Sequence, residues 1–227
     1  MTNMKRIRAS LIILAAALAV SCNNSVSETT EVSGELLAGS QADSIKVNIL
    51  NGRSMETAYV FPVVNDHFEF TVPTDDMKLA VVTLKGVARS ASFVPEGVPM
   101  KILMAKDGSL RVTPQGKETL TEAYNSLSKN VKEYQKVLAD DLNAVIKENN
   151  YNRAERDSIV HVYSLELTKY MENLCRDLAL SNTDNAVGLM SVLSLSTIVS
   201  KEDLAPVVSK MDKCIRNQKD VMKALAK

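Results

Sequence analysis

The chain has 227 residues, with 27 Lys+Arg against 27 Asp+Glu and a formal net charge of +0. That balance excludes a strongly basic nucleic-acid binder, whose phosphate contacts need a clustered positive excess, and an acidic disordered chain. Eight Gly and six Pro exclude a low-complexity or collagen-like protein.

The first segment carries a secretory pattern. Lys5, Arg6 and Arg8 precede an unbroken apolar run over residues 11–20, followed by Ser21 and Cys22. The run is too short for a stable membrane span, and its flanks suit a cleaved signal. The ending LAVSC is similar to a bacterial lipobox, although Ala19 stands where Leu is commonest. That resemblance implies diacylglyceryl on the Cys22 sulfur, cleavage before Cys22 and acylation of its new amine with palmitate-type chains. The alternative is an ordinary secretory signal cut near Ser21. Acyl chains anchor strongly, since each buried methylene contributes about 0.8 kcal/mol. Losing the signal removes three cations and leaves 24 basic against 27 acidic side chains, a net charge of −3. The expected layout is a signal at 1–21, a polar tether at 22–30, a β domain at 31–114 and a helical domain at 115–227.

Residues 31–113 show period-two patterning with turn punctuation. Ile45, Val47 and Ile49 alternate with Lys46 and Asn48 before an Asn51-Gly52 turn. A strand at 57–64 contains Pro62, which suggests an edge or a bulge. Asn65-Asp66 is a second turn, followed by Phe68 and Phe70 in alternation. Strands follow at 79–84, 90–94 and 100–104, then an Asp107-Gly108 turn and a returning strand with Leu110 and Val112. Seven or eight short strands predict an antiparallel β-sandwich or partly open barrel.

After Gly116 the period becomes helical. Leu120, Tyr124, Leu127, Val131, Tyr134, Leu138, Leu142 and Val145 form one seam. A second helix over about 153–180 carries Ile159, Tyr163, Leu167, Tyr170, Leu174 and Leu178. A third covers about 185–199. A fourth runs to Ala226 from a Ser200/Asp203 capping box, with Val207, Met211, Cys214, Val221 and Leu225 in register and Pro206 at a kink or in the first turn. The fold class is therefore α+β, an N-terminal β-sandwich or barrel followed by a C-terminal α-helical bundle. The seams predict a packed bundle rather than an extended stalk.

No nucleophile elbow, phosphate loop, dinucleotide fingerprint or zinc-protease motif occurs. His67 and His161 read as surface residues. Asp75-Asp76 lacks the further spaced oxygens of a cation loop. Beyond Cys22, only Cys175 and Cys214 remain, 39 residues apart and on or beside apolar stripes. They are either a disulfide or two buried thiols. Neither is expected to be a catalytic nucleophile, and both are expected to react slowly in the folded protein. No metal, cofactor or catalytic residue is assigned.

The strand half also resembles a known lipoprotein module. The order S-G-E-L, V-N-D-H-F-E-F, D-G-S-L-R-V-T-P-Q-G and A-Y-N, over residues 32–134, is similar to the module called domain of unknown function 4369. His67, Phe68, Glu69 and Phe70 match its G-x-F-x-F signature, with Asp66-His67 where the family often has Asn-Gly. Gly116 and Tyr124 match a later glycine and helix aromatic. N-A-V-G-L and S-K-E-D-L are similar to the linking helices of such proteins. The resemblance implies a front module of Gram-negative envelope lipoproteins that usually carry a TlpA/ResA-like thioredoxin domain. This chain has no Trp and no W-C-x-x-C motif. The expectation is a non-enzymatic outer-membrane lipoprotein facing the periplasm, anchored through Cys22 and working with an envelope protein partner. The alternative is an accessory subunit for TlpA/ResA-like thiol–disulfide exchange.

Overall fold

The computed structural model describes residues 27–37, 40, 42–85, 90–116, 118–149 and 151–226. The signal segment 1–21, Cys22 and the tether up to residue 26 lie outside them.

Among the described residues, eight strands form two four-stranded sheets. The first orders β4 (His67–Pro73), β1 (Thr29–Glu35), β7 (Met100–Met104) and β8 (Leu110–Pro114). The second orders β3 (Ser54–Pro62), β2 (Ser44–Asn51), β5 (Leu79–Leu84) and β6 (Ser90–Phe93). Alternation puts Val32, Phe68, Phe70, Val72 and Ile102 from one sheet against Ile45, Val47, Val82 and Phe93 from the other. One apolar layer shared by two sheets is a sandwich. The sheets do not close into a barrel. One pair departs from the antiparallel expectation: β1 and β7 run parallel, from Val32↔Met100 to Glu35↔Leu103. The chain leaves β1 for the other sheet and returns, which gives a parallel pair the long crossover it needs.

Local chemistry explains the corners. Asn65 and Asp66 hold φ of 52° and 63°, the doubly positive pattern of a tight hairpin turn. Pro62 ends β3, an edge strand whose lost donor costs the ladder nothing there. A bulge lies at Ile49/Leu50 in the β2–β3 ladder. Phe61 of β3 and Phe70 of β4 stack at 4.5 Å, which links the two sheet edges. Gly34 sits under the Phe68 ring, and a Cβ there would fall 1.9 Å from the ring.

Two 29-residue helices follow, α1 (Leu120–Glu148) and α2 (Arg153–Ser181), each about 43 Å long. Thr119 with Glu122 and Asn152 with Glu155 cap them as full capping boxes. The eight α1 seam residues are all half-buried, as are the six of α2. Thr121 is the one described α1 residue that is buried; in α2 these are Cys175 and Ala179. The expectation of a packed bundle holds at the base. There Cys175 and Ala179 join Leu189, Leu193, Leu195, Leu204, Val207 and Ile215 in one core. The outer halves of α1 and α2 bury no described residue and form a hairpin instead.

The end of the chain is more broken than predicted. After α3 (Ala186–Leu195), the expected fourth helix is three pieces: α4 (Lys201–Val208), α5 (Lys213–Arg216) and α6 (Lys219–Ala226). The break at 209–212 is fixed when Asp212 N–H donates to Thr183 O at 2.9 Å. That break shifts the phase, so Ile215 is buried and Cys214 is exposed. Pro206 lies inside α4. Only half of the Ser200 box forms. Ser200 Oγ accepts from Asp203 N–H at 3.2 Å and donates to Asp203 Oδ2 at 2.8 Å. Asp, one methylene shorter than Glu, leaves the reciprocal bond to the Ser200 N–H unmade.

The helices dock on the sandwich through Leu79, Val94, Ala186 and Val187, with Leu50, Leu120 and Tyr124 beside them. Glu96 accepts from the Leu120 and Thr121 N–H groups at 2.7 and 3.0 Å, using two orphan donors of the first turn of α1.

Candidate functional site

The residues singled out in the sequence are scattered. Cys22 lies outside the described residues. Cys175 is buried in α2, and burial pushes its thiol pKa up. Cys214 is exposed on α5, with its Sγ 3.9 Å from Asp184 O. Both are free thiols, so the structure does not join them in a disulfide. The expectation that both thiols are sheltered fails for Cys214.

His67 and His161 are exposed, on β4 and α2. His67 Nδ1 lies 2.7 Å from Asn65 O, a contact within its own turn. Asp75 holds the following loop, accepting from Met77 N–H at 3.1 Å and pairing with Lys78 at 3.1 Å. Partial burial, then the charges of Asp75 and Asp184, push the Asp76 carboxyl up. No cluster of three or more His, Cys, Asp or Glu able to hold a metal occurs among the described residues. No described helix is long and apolar enough to cross a membrane.

Among the described residues, two concavities stand out. One, of about 680 Å³, is a shallow cleft lined by Glu31, Ser33, Glu69 and Thr71 with Phe61 and Phe70. Glu31, Ser33, Glu69 and Thr71 alternate with the core-facing residues of β1 and β4, so much of this lining is open sheet face. The other, of about 400 Å³, lies between α1 and α2 where the end of α3 meets them. Leu127, Val131, Met171 and Cys175 supply apolar wall, with Tyr124 beside them. Ser128, Lys132, Gln135 and Ser194 bring the polar groups. Apolar walls with a few polar groups between helices are the usual make-up of a small-molecule site.

The α1 and α2 stripes were legible as helical faces. The groove was not, because it needs Ser194 of α3 to arrive at its end. Burial turns the Cys175 thiol from a reactive group into a piece of apolar wall. No protein-family model matches this chain, and no curated protein matches it.

Proposed function

We propose that this protein is a lipid-anchored envelope protein that works as a non-catalytic binding module on the periplasmic side of the outer membrane. In this reading Cys22 carries the acyl chains, a short polar tether follows, and the sandwich presents the helical hairpin. One observation in the folded body supports it: an apolar groove open to the surface between α1 and α2, with an uncharged thiol in its wall. The order of Lys5, Arg6, Arg8, the apolar run and Cys22 supports the anchor. The accessory role in thiol–disulfide exchange draws support from the exposed Cys214 alone, because a buried thiol of raised pKa is a poor nucleophile.

Fractionation of cells carrying wild type or Cys22→Ala tests the anchor. Wild type should sediment with membranes and show an acylated Cys22 as its first residue by mass spectrometry. The variant should leave the membrane fraction or keep its signal. Unchanged membrane retention with the same mature N-terminus would overturn the reading.

A further inference from the structure

The charge around the α1–α2 groove is one-sided. Lys132 lines it, and Lys129 and Lys136 lie three residues before and four after, on the same face of α1. All three are exposed, and none has an ion-pair partner among the described residues. Among the described residues, no acidic side chain lines the groove. Its α1 wall runs from Tyr124 to Gln135, about 16 Å along the helix axis. A long trough with an apolar floor and a basic lip suits a flexible chain with an anionic head better than a compact or cationic ligand. Its volume of about 400 Å³ falls within the range of small-molecule sites, roughly 300–1,000 Å³.

We propose that the groove binds a single-chain anionic amphiphile, an alkyl carboxylate, with its chain along Leu127, Val131, Met171 and Cys175 and its carboxylate at Lys132. This rests on the reading of the folded body as a binding module. It does not depend on the anchor. The neutral thiol of Cys175 accepts alkyl contact without placing an anion in the wall. An exposed lysine and a carboxylate contribute modestly, so the head sets preference while the chain supplies most of the affinity.

The test uses the full chain with Cys22→Ala, so that its own acyl chains do not compete for the groove. Laurate, dodecanol and dodecyltrimethylammonium are titrated calorimetrically below their micellar concentrations. Laurate should bind about fivefold tighter than the cationic amphiphile, the order set by one exposed ion pair. Lys132→Glu, at an exposed position that leaves the fold intact, should erase that preference. Equal binding of laurate and the cationic amphiphile, or a preference that survives Lys132→Glu, would overturn the proposal. So would a dimer in sedimentation that laurate does not dissociate, which would assign the groove to a second copy. None of these failures touches the Cys22 fractionation result, so ligand and anchor fail separately.

Discussion

Arg53 and Asp220, 167 residues apart in sequence, meet where the Arg53 backbone N–H donates to Asp220 Oδ2 at 2.9 Å. The Arg53 guanidinium also donates to Leu193 O at 2.9 Å. The tip of the β2–β3 hairpin is thereby pinned to both α3 and α6. Gly52 makes the approach possible: its φ is +60°, and a Cβ there would lie 3.0 Å from the same Asp220 oxygen. Asp220 lies in the first turn of α6, where a negative charge also favours the helix. Asp220→Ala is expected to cost about 1–2 kcal/mol, combining a charge-assisted hydrogen bond with the helix-end effect. Asp220→Asn keeps an acceptor and should cost less. Urea unfolding of the two variants checks the order; equal losses would show that the Arg53 contact contributes nothing.

The α1–α2 hairpin is fastened by phenols. Tyr163 Oη donates to Asp141, and Tyr134 Oη donates to Glu166 at 2.8 Å. The Tyr134 ring stacks on Tyr170 with centroids 4.0 Å apart. The bond to Asp141 pushes the Tyr163 pKa from 10.0 up to about 12. A phenol whose pKa is higher folded than unfolded stabilises the fold fully below pH 10. That contribution is lost as pH rises through about 12. Melting temperature should therefore fall between these values in wild type, and Tyr163→Phe should flatten the fall. A variant with the same alkaline profile as wild type would remove the Tyr163–Asp141 bond from the account.

How far the sequence could be read follows from which interactions are local. Strands predicted at 79–84 and 100–104 coincide with β5 and β7, because alternation and flanking turn residues are properties of the segment itself. The Asn51-Gly52 and Asn65-Asp66 turns follow from positive φ at Gly52, Asn65 and Asp66. The boxes at Thr119/Glu122 and Asn152/Glu155 are written locally as T-x-x-E and N-x-x-E and form in full, whereas the Ser200/Asp203 box is incomplete because Asp is one methylene short. The parallel β1–β7 pair and the break at 209–212 left no local signal. One is a crossover between sheets, and the other is fixed by a bond from Asp212 to Thr183. A seam also says which residues face a partner and not how many partners there are, so Leu138 shares its seam with residues of the base and yet is only half-buried.

That difference has a measurable size. Leu138 is half-buried in the outer half of its helix, whereas Leu189 is 1% exposed within the base of the bundle. Leu189→Ala is expected to cost about 2–5 kcal/mol, as for buried leucines that leave a cavity. Leu138→Ala is expected to cost about 1 kcal/mol, since water and neighbouring side chains can fill a surface gap. Chemical denaturation of both variants decides it. A larger loss at Leu138 would mean that the outer hairpin is packed against something besides itself.

The two thiols should separate cleanly in a single labelling experiment. Cys214 is exposed on a four-residue helix, so a maleimide should reach it in the native protein within the time set by its own chemistry. Cys175 is 1% exposed, and burial raises its pKa, so both the access and the thiolate fraction are low. Native labelling should therefore modify one site, mapped by peptide mass to Cys214, and Cys175 should follow only on unfolding in denaturant. Cys214→Ser should abolish the fast phase, and Cys175→Ser should leave it untouched. If the two thiols instead serve in exchange, the native protein should label at both sites after mild reduction and at neither before it. That pattern, together with insulin reduction lost in the double variant Cys175→Ser, Cys214→Ser, would move the function from a binding module to a thiol–disulfide partner. Fast labelling at Cys214 alone, unaffected by prior reduction, argues for the module.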